Sequence, residues 1–142
     1  MVSEWMRRKS TRLDRLHEQQ LNTYVDTLQA TARFADNARE WSAIPLADLQ
    51  EADDEELNRL VSRLRVVGSK KVYKQFSELT RQLHLFNRAL SHAQDHHSSL
   101  RESSVVDNQT SIQQRMALAD IADQIVGQHK KIERIVRDEM RR

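Results

Sequence analysis

Residues 72–93 read VYKQFSELTRQLHLFNRALSHA. Apolar side chains fall at Val72, Phe76, Leu79, Leu83, Phe86, Leu90 and Ala93. Their gaps alternate between four and three. That is the period of one helix face, repeated as a heptad seam over about three turns of the pattern. A strand would alternate every second residue, and this stretch does not. Gly68 can end a preceding helix, and Ser69 can cap a new one. The stretch therefore predicts a helix over 70–98 with one buried seam.

The same period extends downstream. Leu118, Ile121, Ile125, Gln128, Ile132 and Ile135 form a second seam, on a helix predicted over 109–141. Ile112, Met116, Val126, Val136 and Met140 widen its apolar margin. Gln128 breaks the seam, either as a register-setting polar residue or as a solvated position near a frayed end. Gly127 costs about 1 kcal/mol relative to alanine inside a helix and suggests a close helix crossing.

Upstream, Asp53 or Asp54 is placed to cap a short helix over 53–67, with Glu55 and Glu56 complementing its dipole. That helix carries Leu57, Leu60, Val61, Leu64 and Val67, and Gly68 is expected in a left-handed conformation at its end. A first helix is expected over 3–41, stopped before Pro45. Its stripe is Leu13, Leu16 or His17, Leu21, Tyr24, Leu28, Ala32 and Ala35.

The 142 residues include no cysteine, two glycines, one proline and 5% aromatics, while 31% are charged. Disulfides and thiolate metal sites are excluded, and a turn-rich sheet protein is disfavoured. The fold class is all-α. We expect one domain, an elongated up-and-down bundle of three long helices and one short helix with coiled-coil-like packing.

Charge is unevenly spread. Residues 35–58 hold one basic and eight acidic side chains, and residues 59–101 hold nine and two. Such blocks pair within a fold or face a charged partner. The apolar runs are too short for a transmembrane helix, and the first residues lack the apolar core of a signal peptide. A cytoplasmic location is the expectation.

Candidate chemistry is sparse. His92 and His96 stand at i and i+4, a spacing that can hold a transition metal. However, His92 points away from the seam, and a solvated histidine face explains the pair more simply. No nucleophile elbow, phosphate loop or facing carboxylate pair is present, so no enzyme, cofactor or metal is expected. Lys70, Lys74, Arg81 and Arg88, with His84 among them, form a basic ridge opposite the seam that could track a phosphate backbone. Trp5, Arg7, Arg8 and Lys9 make a cationic, aromatic start suited to weak contact with a membrane surface.

The stretch from Asp54-Glu55-Glu56-Leu57 to Leu64-Arg65-Val66-Val67-Gly68-Ser69-Lys70-Lys71-Val72 resembles a joint in uncharacterised bacterial helical proteins, many of them actinobacterial. There an acidic start, a leucine-arginine run and a Gly-Ser link connect two helices. The likeness covers about residues 5–95. Such proteins often carry N-terminal membrane spans, which this sequence lacks. The resemblance implies a membrane-proximal helical domain and no reaction.

The functional expectation is a non-enzymatic module for protein–protein interaction or oligomerisation. A homodimer is expected, with Ile112, Met116, Val126, Val136 and Met140 at the contact. The alternatives are a nucleic-acid-binding helical protein using the basic ridge, or the cytoplasmic domain of a membrane-tethered assembly.

Overall fold

The computed structural model describes residues 4–41, 53–102 and 108–141, with side chains described over 12–41, 53–95 and 112–141. It consists of four helices: α1 (Glu4–Glu40), α2 (Asp54–Val67), α3 (Lys70–Glu102) and α4 (Asn108–Met140). The described residues contain no strand. The all-α bundle expected from the heptad seams is what forms. α3 runs on to Glu102, past the end expected near Ser98.

The α3 seam does what its spacing dictates. Val72, Phe76, Leu79, Leu83, Phe86, Leu90 and Ala93 are all buried. They meet Leu118, Ile125, Ile132 and Ile135 of α4 in one core, which Leu57, Leu60 and Leu64 of α2 and Tyr24 and Phe34 of α1 complete. Cross-helix bonds set the directions. Gln20, Asp26 and Arg33 of α1 reach Val67, Arg63 and Glu56 of α2, so these two helices are antiparallel. Tyr24 and Thr31 of α1 reach Glu139 and His129 of α4, again antiparallel. Each helix packs on its neighbours in the order α1–α2–α3–α4 and back to α1.

The joint between α2 and α3 is held by side chains from α1. Asp53 caps α2, its carboxylate accepting from the amides of Glu55 and Glu56 at 3.0 and 3.4 Å. Ser69 caps α3, its Oγ accepting from Val72 N at 3.1 Å. Gln20 Nε2 donates to the Val67 carbonyl at 2.8 Å, satisfying an orphan acceptor at the end of α2. The Tyr24 hydroxyl accepts from Ser69 N at 3.0 Å and donates to Glu139 Oε2 at 3.2 Å. One phenol thus ties α1, the joint and α4. Burial pushes its pKa up.

Both glycines differ from expectation. Gly68 is not left-handed: its φ is −79° and ψ is 160°. It is needed for space, since a Cβ there would stand 2.7 Å from the Leu64 carbonyl oxygen. Gly127 marks no crossing, because a Cβ there would meet nothing within 4 Å. It faces solvent.

The α1 stripe is also displaced. Its buried residues are Thr23, Tyr24, Thr27, Ala30, Thr31, Phe34, Ala35 and Ala38. α1 packs against two helices, α2 and α4, and six of these eight buried residues are threonine or alanine. The threonines disguise this face in a hydropathy reading. Thr27 and Thr31 satisfy their hydroxyls on the carbonyls of Thr23 and Leu28.

Candidate interaction surface

α1 is 37 residues long, about 55 Å at 1.5 Å per residue. Its neighbours are shorter at one end. α2 stops at Val67, opposite Gln20, and α4 stops at Met140, one residue after the Glu139 that meets Tyr24. α1 continues helical from Gln20 back to Glu4, about four further turns. Residues 12–19 are all exposed.

These exposed turns are not polar all round. Leu13 and Leu16 are 57% and 44% exposed. At 100° per residue they lie on the same face as Gln20, Tyr24, Thr27 and Thr31. The face buried between α2 and α4 therefore runs on past their ends with leucines at seam spacing. Trp5, Arg7, Arg8 and Lys9 belong to the same helix, but their side chains lie outside the described residues.

Cations gather at this end. From Arg63 to Ser77 the chain carries five basic residues and no acidic one, and of these Arg63 pairs with Asp26. Arg65, Lys70, Lys71 and Lys74 are exposed around the joint, and Arg141 is exposed beyond α4. The acidic run from Asp53 to Glu56 sits at the opposite end of α2. Part of it is engaged within the fold: Glu56 pairs with Arg33, and Asp54 Oδ1 lies 3.2 Å from His84 Nε2.

No protein-family model matches the chain, and no curated protein or solved structure resembles it significantly.

The structure divides the expected α4 interface. Ile112 and Met116 are exposed at 57% and 63%, and Met140 is exposed too. Val126 is half-buried against the core. Val136 is fully buried at 0% exposure. It belongs to the core of the single chain and is unavailable to a partner. It stands seven residues after His129, on the side of α4 that meets Thr31 of α1, a neighbour that the sequence of α4 alone cannot place.

The basic ridge is divided as well. Lys70, Lys74 and Arg88 face solvent. Arg81 Nε donates to Glu78 Oε2 at 3.0 Å. That bond lowers the Glu78 pKa and raises that of Arg81. His84 faces Asp54. His92 is exposed, and His96 lies outside the described side chains. Among the described residues no three His, Asp or Glu side chains are grouped to hold a metal. No described helix is long and apolar enough to cross a membrane.

Two buried polar contacts join the helices: the one at Gln128 is among the readings its seam position offered, and the one at His129 had no signal in the sequence. Gln128 is buried on the α4 seam, and its Nε2 donates to the carbonyl and Oε1 of Gln75 on α3, both at 2.9 Å. It acts as a register contact rather than a frayed end. His129 is buried between Thr31 Oγ1 at 3.0 Å and Glu133 Oε2 at 3.3 Å. Because the Thr31 hydroxyl donates to the Leu28 carbonyl, a neutral ring donates either from Nδ1 to Thr31 Oγ1 or from Nε2 to Glu133, one at a time. Burial lowers the His129 pKa, against the opposing field of Glu133.

Proposed function

We propose that the protein is a non-enzymatic helical interaction module that docks another helix along the outer turns of α1. The observation that supports this is the continuation of one face: buried at Tyr24, Thr27 and Thr31, exposed at Leu13 and Leu16. A seam that runs on past the end of α2 with its leucines exposed offers ready-made helix spacing to another helix. Exposed apolar stripes on water-soluble surfaces mark such contacts. Ile112, Met116 and Met140 add smaller apolar contacts on α4.

Photocrosslinking in the native cell tests this reading. A benzophenone side chain at position 13 or 16 should give discrete protein adducts, and the same group at Asp123 on the outer face of α4 should not. Equal labelling from both places would sink the reading. The exposure of Lys70, Lys74 and Arg88 supports a second reading, nucleic-acid binding along α3. Salt separates the two, because phosphate-driven binding collapses with added salt and seam-driven docking persists.

A further inference from the structure

We infer that the partner at the outer turns of α1 is an acidic amphipathic helix of another protein. This rests on the docking reading above and adds the chemistry of the occupant.

No segment of this chain between the helices can reach the seam. The link between α1 and α2 starts and ends at Trp41 and Asp53, at the far end of the bundle. Out and back, eleven residues extend about 20 Å, whereas Leu16 lies about 37 Å along α1 from Trp41. The link between α3 and α4 joins away from the joint too, since α3 starts and α4 ends beside Tyr24.

The surroundings select the occupant. A helix laid on Leu13 and Leu16 would run past the end of α2. It would pass the joint and the last turn of α4, where Arg65, Lys70, Lys71 and Arg141 are exposed, with Arg12 on its flank. Asp14, Glu18, Asp138 and Glu139 are the acidic side chains there, and Glu139 already accepts from Tyr24. Complementary charge around an apolar stripe calls for leucines flanked by glutamates or aspartates. A second copy docking by the same face would bring two cationic joints together, which like-charge repulsion opposes. A bilayer is a poorer match. The stripe is narrow, and Arg12, Asp14, Arg15, His17, Glu18 and Gln19 occupy the rest of the described outer turns, whereas an interfacial helix presents a broad apolar face.

The test uses the full chain and a fluorescent synthetic peptide of about three heptads, with leucine at a and d and glutamate at e and g. A second peptide carries lysine in place of glutamate. In fluorescence anisotropy the acidic peptide should bind about tenfold or more tighter than its lysine counterpart. Leu13→Asp/Leu16→Asp should abolish binding, and Lys70→Glu/Lys71→Glu should weaken it about tenfold, each with unchanged helicity. If both peptides bind alike and both need Leu13 and Leu16, the docking seam stands and the acidic partner falls. If the acidic peptide binds Leu13→Asp/Leu16→Asp as well as the parent, the seam itself is wrong. A dimer mass lost in that variant would make a second copy the occupant. Capture by phosphatidylglycerol vesicles without peptide binding would make it a lipid. Either result overturns the inference.

Discussion

The inner and outer halves of α1 are one helix with one face, and they have opposite fates. From Gln20 to Ala38 the face holds Tyr24, threonines and alanines, and it is buried. From Arg12 to Gln19 it holds Leu13 and Leu16, more apolar side chains, and it is exposed. Burial here depends on the presence of a neighbour rather than the hydropathy of the residue. Tyr24, Phe34 and smaller side chains are buried where α2 and α4 pack, and Leu13 and Leu16 are left bare past the end of α2. The contrast is what the proposed docking surface rests on.

The largest expected effect contrasts the core with that outer half. Leu83→Ala, in the α3 seam, should cost about 2–5 kcal/mol. Leu16→Ala should stay within about 0.5 kcal/mol, as at an open surface. Urea unfolding of both variants measures the difference. Equal losses would mean that the outer turns are packed within the single chain.

Tyr24→Phe sharpens the boundary between the halves. It leaves the Ser69 amide without its acceptor and Glu139 without its donor, so about 1–3 kcal/mol should be lost. A thermal melt indistinguishable from the parent would show that the joint does not depend on α1.

The glycines test the same idea in opposite directions. Gly68→Ala places a Cβ 2.7 Å from the Leu64 carbonyl oxygen unless the joint shifts, a crowding that costs about 1–3 kcal/mol. Gly127→Ala meets open space and should gain up to about 1 kcal/mol of helix stability. Chemical denaturation of the pair should give shifts of opposite sign.

The smallest effect is the pH dependence contributed by His129. Its folded pKa lies below the ordinary value, chiefly through burial. Glu133 and Asp36 oppose the shift, while Arg39 and Lys130 reinforce it. Above the unfolded pKa of about 6.5 both states are neutral and the group is silent. As pH falls through about 6.5 the unfolded chain binds the proton first, so stability declines until the folded pKa is passed. His129→Gln should flatten the slope of stability below about pH 6.5. An unchanged slope would place the titrating group elsewhere.

Much of the architecture was legible because it is written in local periodicity. The α3 seam from Val72 to Ala93, the cap at Asp53 and the cap at Ser69 depend on spacing and on short-range hydrogen bonds. A linear sequence carries both. The candidate surface was legible only in part. Leu13 and Leu16 were visible as a stripe, but nothing in the sequence distinguished them from the buried residues that continue it. Val136 looked like margin and lies in the core.

The sequence by itself determined that this protein is helical, where three of its helices begin, and which face of α3 is the core, because backbone hydrogen bonding and the 3.6-residue repeat are local. Only the tertiary structure decided where each face finds its partner. Relative helix lengths and the antiparallel register set Gln20 against Val67 and Tyr24 against Glu139. Past those contacts the seam of α1 has no described neighbour. The reason is geometric: burial is a property of two surfaces, and the second surface is specified by residues tens of positions away in the chain.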